Sequence, residues 1–238
     1  FYARTWRLAA LLLDAGVKPG DRVALMLERS PRIVESMVAT LMVGGVYVPM
    51  ETDLPAQRAA EVVRISEAVC AIIDPEVREI LPASLPVIFP PDGAINPDKG
   101  VDLPQPPDVG IGPQSLAYVL FTSGSTGKPK AAQIKHTGIV NLIQWLCRDY
   151  QLTHRDSAMF KTPYGHDVSV PEIYQPLMTG GRIVIAEPDG HRDPDYLVQL
   201  TVDQQVTVSY FVPTMLREFV RVSDSIADFP LEHAIVAG

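Results

Sequence analysis

Between Leu116 and Lys130 the chain reads LAYVLFTSGSTGKPK, an apolar strand-like run followed by a turn of hydroxyl residues, glycines and lysines. Gly124 and Gly127 permit positive φ and close backbone approach, so successive N–H groups can converge on an anion with no Cβ in the way. Thr122, Ser123, Ser125 and Thr126 add hydroxyl donors, while Lys128 and Lys130 add compact, mobile positive charge. Such a turn suits a polyphosphate. A Walker loop also ends in Gly-Lys, but it needs four residues between its glycines and a Ser or Thr after the lysine. Here Ser125 and Thr126 alone separate the glycines, and Pro129 follows Lys128, where it blocks the helix a Walker loop would open. A plain solvated connection is the other reading of a Ser/Gly/Thr-rich stretch, and this string is far more specific than composition alone.

A second group of residues with chemical potential is His166-Asp167-Val168-Ser169, after a Tyr-Gly turn and before Pro171. This places Asp167 at a strand-to-helix junction, where side chains point into a cleft. Taken by itself, Asp167 reads as a helix cap or as a ligand for a cation. Elsewhere the inventory is plain. Cys70 and Cys147 lie far apart inside apolar stretches, with no pairing or metal-ligand spacing, and both read as buried hydrophobes. His136, His154, His166, His191 and His233 are scattered, so a metal site built of protein ligands is not expected. Glu172 and Arg182 read as structural, and Lys161 as a solvated lysine at a strand end rather than an anion contact.

The elements that must position these residues alternate. Helices are expected at Tyr2 to Ala15, Ser30-Pro31 to about Val43, Pro55 to Glu67, Thr137 to Cys147, Val170 to Met178, Asp193 to Asp203 and Pro213 to Val222. Strands are expected at Arg22 to Leu27, Val46 to Pro49, Val69 to Ile73, Ser157 to Lys161, Arg182 to Ala186, Val206 to Phe211 and from Ala234 to Ala237. Strands alternating with helices of this size predict an α/β fold with parallel sheets flanked by helices. From Asp74 to Gln114 ten prolines forbid a long helix. That stretch is expected to be a peripheral connection within one domain rather than a boundary.

Composition narrows the classes. The 238 residues are 47% apolar and 20% charged, an ordinary globular balance. Twenty basic against twenty-eight acidic residues give a net charge of −8, which argues against a nucleic-acid or membrane-surface partner. No apolar run has the length of a spanning helix and no cleavable signal is visible, so the cytoplasm is the expected location. The chain starts at Phe1 rather than Met, as an excised or partial sequence would.

With these residues in view, LAYVLFTSGSTGKPK resembles the phosphate-binding signature of the adenylate-forming enzymes, and most closely that of the amino-acid adenylation domains of nonribosomal peptide synthetases. LMVGGVYVPMETDLPAQR at Leu41 to Arg58, HDVSVPEIYQPLMTGGRIVIAE at His166 to Glu187 and GHRDPDYL at Gly190 to Leu197 agree in order and spacing, so the resemblance spans the chain. It implies that residues 1–238 are an incomplete part of the large N-terminal AMP-binding domain. It implies ATP and Mg²⁺ as cofactors, with Thr122, Ser123, Gly124, Ser125, Thr126, Gly127, Lys128 and Lys130 around the phosphates. The amino-acid substrate would meet Asp167, pairing its α-ammonium in a partly desolvated pocket, with Val168, Pro171, Tyr210, Ile235 and Ala237 as walls. His166 replaces the usual phenylalanine and stands as a gate or a space-filler. The walls carry no second charge, so they resemble pockets for proline or another small apolar side chain, with Pro171 replacing the usual glutamine.

The same resemblance implies that the product is an aminoacyl adenylate plus pyrophosphate, passed on to the phosphopantetheine thiol of a peptidyl carrier protein domain. No catalytic residue is certain within these residues. The chain ends before the segment near adenine and metal, the ribose-binding aspartate and the small C-terminal domain with its lysine, so residues 1–238 alone are expected to be inactive. An acyl- or aryl-CoA ligase would share the phosphate turn but have little use for Asp167. A non-catalytic binding remnant is the remaining alternative.

Overall fold

The computed structural model describes residues 1–91, 108–123 and 129–236, with the backbone alone at Ser123 and Pro129. Two compact units divide the chain, residues 1–138 and 139–238.

The first unit opens with α1 (Tyr2–Asp14), whose buried Thr5, Leu8, Ala9 and Leu12 recur at helical spacing. Strand β1 (Arg22–Met26) follows, and then α2 (Pro31–Met42). Ser30 caps α2 by accepting a hydrogen bond from the Arg32 amide at 3.3 Å, and Pro31 occupies the first turn, where its missing N–H is harmless. Gly44, at φ +75°, turns the chain out of the helix into β2 (Val46–Pro49). The Arg4–Glu35 ion pair, at 2.6 Å, ties α1 to α2.

Helix α3 (Ala56–Ser66) and β3 (Cys70–Ile73) continue the alternation. The start of the proline-rich stretch does not skirt this unit. A 3-10 turn at Pro75–Ile80 and the two-residue strand β4 (Val87–Ile88) bring Val77, Leu81 and Leu85 into the core beside Ala24, Met26, Val48, Val62 and Ile73. Short 3-10 and edge-strand geometry accommodates prolines that a helix would not. Residues 92–107 of that stretch lie outside the described residues.

Strand β5 (Leu116–Ser123) completes the parallel part of the sheet, and β6 (Pro129–Lys135) runs back antiparallel along it. The order is β4-β3-β1-β2-β5-β6. Parallel strands buried on both faces need near-continuous apolar sequence, and every residue of β2 and β3 is buried. β6 departs from the expected order, which ran from the phosphate turn straight into a helix. Its sequence PKAAQIK is weak in strand formers, and pairing with β5 decides its conformation.

Helix α4 (His136–Asp149) leads from β6 into the second unit, to which its residues from Ile139 onward belong. Here β7 (Ser157–Phe160), α5 (Ser169–Thr179), β8 (Arg182–Ile185), α6 (Pro194–Asp203), β9 (Val208–Phe211), α7 (Pro213–Ser223) and β10 (His233–Val236) alternate as expected. All four strands are parallel, in the order β10-β9-β7-β8. Asp193 caps α6 by accepting from the Tyr196 amide at 3.1 Å. Gly181 has no substitute by geometry, because a Cβ there would lie 2.7 Å from the Asp156 carbonyl oxygen. On one face of this sheet Phe211, Phe219, Leu197, Val206 and Met159 form the core under α6 and α7.

Arg182 behaves as the structural residue expected. Its Nε donates to Ser157 Oγ at 3.1 Å and its guanidinium donates to the Gln204 carbonyl, tying β8 to the end of α6. Among the described residues no helix is long and apolar enough to cross a membrane.

Candidate functional site

Of the residues expected to bind phosphate, the structure describes Thr122 and Ser123 at the end of β5 and Lys130 in β6. Strand β5 is fixed by its neighbours on both sides: Tyr118 stacks on Tyr47 of β2 with ring centroids 5.2 Å apart, and Val119 lies in the core. Register pairs Thr122 with Lys130 and Ser123 with Pro129. Residues directly opposite in an antiparallel pair share a face, so the Thr122 hydroxyl and the Lys130 ammonium stand side by side. Both are exposed. Gly124, Ser125, Thr126, Gly127 and Lys128 lie outside the described residues.

In the second unit β7 ends at Phe160, and residues 161–168 turn the chain into α5. Two successive turns shape that segment: the His166 amide donates to the Pro163 carbonyl at 3.0 Å and the Ser169 amide to the His166 carbonyl at 3.1 Å. The Ser169 hydroxyl reinforces the second turn by donating to the His166 carbonyl at 2.7 Å. His166 and Asp167 emerge exposed at its apex, Val168 is half-buried and Pro171 is buried. The capping role open to Asp167 is not what the chain adopts, since the N-cap of α5 is Val168 and no side chain caps it. Nor is Asp167 partly desolvated in this structure, because the apex of the turn faces solvent.

Tyr210 of β9 and Ile235 of β10 are register partners in a parallel pair, so their side chains stand next to each other on one face. Both are buried, at 1% and 8% exposure. Burial, reinforced by the negative charge of Glu172, pushes the Tyr210 phenol well above its ordinary range, and its hydroxyl has no hydrogen-bond partner among the described residues. Ala237 lies outside the described residues.

The lysine expected to be solvated at a strand end is buried there instead. Lys161 is 4% exposed and forms an ion pair with the fully buried Glu172, Nζ to Oε1 at 3.4 Å. Its Nζ also donates to the Tyr210 carbonyl and lies 4.6 Å from the centre of the Phe211 ring. Glu172 is structural, as expected, but it does far more than begin a helix. It accepts from the Lys161 amide at 3.1 Å, the Thr162 amide at 2.9 Å and the Thr162 hydroxyl at 2.7 Å. Neither residue carries a periodic signal, because one ends a strand and the other sits in the first turn of a helix. Their pairing is a tertiary event.

Cys70 is a buried hydrophobe, with burial pushing its thiol up to about 11, but Cys147 is only half-buried on α4. Among the described residues no group of three or more His, Cys, Asp or Glu side chains could hold a metal ion.

The model of the AMP-binding enzymes matches residues 1–238. The chain is 37% identical over 214 residues to tyrocidine synthase 3 of Brevibacillus parabrevis, covering 90% of this chain and 3% of that protein. It is 37% identical over 224 residues to phosphinothricin tripeptide synthetase PhsB of Streptomyces viridochromogenes, covering 93% of this chain and 19% of that protein. Among solved structures, the nonribosomal peptide synthetase FmoA3 superposes with a TM-score of 0.85 at 27% identity, covering 99% of this chain and 25% of that one. The chain thus spans less than a fifth of the length of either curated relative and a quarter of the solved chain. By sequence along its whole length and by its layered α/β fold, this chain belongs to the AMP-binding enzymes, with nonribosomal peptide synthetases among its relatives.

Proposed function

We propose that this chain is the part of an adenylation domain that grips ATP phosphates and selects an amino acid, which the intact protein joins to the α-phosphate with release of pyrophosphate. The observation that carries the reading is Asp167: an exposed carboxylate on a built turn, left free by an α5 that needs no side-chain cap, with buried Pro171 four residues on. A carboxylate so placed can form a charge-assisted pair with an α-ammonium, and a guest's own surface would supply the desolvation that strengthens the pair. The walls expected for the pocket, Val168, Pro171, Tyr210 and Ile235, offer no second charge, which favours proline or another small apolar side chain.

On this reading MgATP is a substrate. Thr122 and Lys130, side by side at the mouth of the β5–β6 turn, hold the phosphates together with residues 124–128, and the stabilisation is electrostatic, aimed at the charge of the departing pyrophosphate. No protein nucleophile is required. The acyl group then passes to a carrier-protein phosphopantetheine thiol. The setting is cytoplasmic, and residues 1–238 by themselves do not catalyse the reaction.

The test is amino-acid-dependent pyrophosphate exchange by the intact protein over a panel of amino acids. Asp167→Ala is expected to reduce kcat/KM for the amino acid about 100-fold, the order of magnitude for losing a charge-assisted contact. An unchanged kcat/KM removes the ammonium role, and activity confined to acids without an amine moves the protein to the acyl- or aryl-CoA ligases.

A further inference from the structure

We infer that the buried Lys161–Glu172 pair is a positioning clasp that sets the shape of the amino-acid pocket. The inference deepens the reading above and rests on it. Its basis is what the pair encloses. Lys161 and Thr162 stand at one end of the segment that turns the chain from β7 to α5, and Glu172 stands at the other end, in the first turn of that helix. The Glu172 carboxylate accepts from both amides and from the Thr162 hydroxyl, so it closes the segment that carries His166, Asp167, Val168 and Pro171 into a loop of fixed span. From the same carboxylate the Lys161 ammonium reaches across to the Tyr210 carbonyl on β9 and rests against the Phe211 ring. One buried pair thereby joins the turn bearing Asp167 to the strand bearing Tyr210.

Stability alone does not explain this arrangement. A buried ion pair seldom outperforms a well-packed apolar pair of similar volume, because desolvation offsets most of the Coulomb attraction. What an apolar pair cannot do is accept two backbone amides at a strand end and hold a carbonyl of the next strand. Those contacts fix backbone, and backbone sets where the Asp167 carboxylate and the Tyr210 ring stand. A displacement of about 1 Å in such groups is enough to cost roughly 100-fold in rate. Lys161 and Glu172 touch no substrate in this scheme, so both are positioning residues.

The double variant Lys161→Met with Glu172→Met, made in the intact protein, separates positioning from stability. It is expected to be less destabilised than Glu172→Ala, because no lone charge is left buried although two amides lose their acceptor, to leave KM for MgATP within about twofold, and to raise KM for the amino acid about tenfold or more. The single variant Glu172→Gln, which keeps shape and one acceptor oxygen, is expected to give a smaller rise in the same constant. A folded double variant with unchanged amino-acid KM overturns the inference, and so does an equal rise in both Michaelis constants. Should the double variant fail to fold, hydrogen exchange on the parent protein decides. Slow exchange of the Lys161 and Thr162 amides before any substrate is added supports a preset clasp. Fast exchange that slows only on adding the amino acid overturns it. Acids lacking an amine belong in the panel: if they alone are activated, the amino-acid reading fails by itself, and the clasp is then judged on the KM for that acid.

Discussion

The β5–β6 pair and the segment between β7 and α5 both carry polar groups at the end of a buried strand, by opposite means. In the first, Thr122 and Lys130 are exposed and stand together only because two antiparallel strands bring them into register. Beneath the second lies a buried ion pair with its acceptor oxygens shared among four donors. In one region the polar groups depend on local sequence and ladder geometry. In the other they depend on a tertiary contact that must survive for the turn to keep its shape.

That contrast predicts very different costs for removing one charge. Glu172→Ala leaves the Lys161 ammonium buried without its carboxylate and strips the acceptor from two amides, so a loss of about 3–5 kcal/mol is expected, measured by chemical denaturation. A loss below about 1 kcal/mol, the range of exposed pairs, would mean that the clasp is no more structural than a surface bridge.

The asymmetry also explains what the sequence made legible. The α/β alternation could be read because buried parallel strands and amphipathic helices leave clear periods, whereas the phosphate-binding reading falls mostly on residues 124–128, outside the described residues. Helix α2 matched its expected start because Ser30 and Pro31 are local signals. β6 was missed because Pro129, Lys130, Ala131 and Ala132 carry no strand preference of their own, and the β5 edge imposes one. Lys161 was misplaced for a similar reason: a lysine after a strand usually reaches water, and only the fold reveals that Glu172, Tyr210 and Phe211 meet it. Asp167 was placed on the correct turn, yet its solvent exposure depended on how the 163–169 turns stack.

The Cys70 thiol of the first unit provides a control that belongs to neither region, isolated by comparing the parent with Cys70→Ala. Burial raises the Cys70 thiol from its ordinary value of 9.0 to about 11. The unfolded thiol therefore ionises first as pH rises, and the unfolded state gains stability that the folded state does not share. The contribution of Cys70 is complete below about pH 9 and is lost progressively as pH climbs through about 11, on the order of 3 kcal/mol in all. Denaturant melts from pH 8 to pH 11 measure it, and Cys70→Ala should flatten the fall. An unchanged slope in that variant would assign the loss elsewhere.

Lys130→Ala sharpens the comparison from the exposed side. The side chain lies on the solvent face of the β5–β6 pair, so stability should change by less than about 0.5 kcal/mol. On the proposed phosphate-binding role, losing its charge should instead raise KM for MgATP about tenfold. Loss of fold without loss of nucleotide affinity would invert the roles assigned to the two regions.

The smallest effect concerns Tyr210, where the two demands meet in one residue. Its carbonyl belongs to the clasp, while its buried hydroxyl has no partner among the described residues. An unsatisfied buried hydroxyl is unfavourable, so Tyr210→Phe is expected to be neutral or to stabilise the protein by up to about 1 kcal/mol. The backbone contact with Lys161 remains, so the Asp167 turn should be unmoved and kcat for the preferred amino acid nearly unchanged. Selectivity is the readout that separates the possibilities. If the phenol faces the amino-acid side chain, the Phe variant should favour more apolar substrates by a few-fold in kcat/KM, because a hydroxyl that no guest can satisfy disfavours apolar occupants. If selectivity and stability both stay fixed, the hydroxyl faces packing rather than pocket, and Ile235 beside it on the sheet becomes the residue to vary.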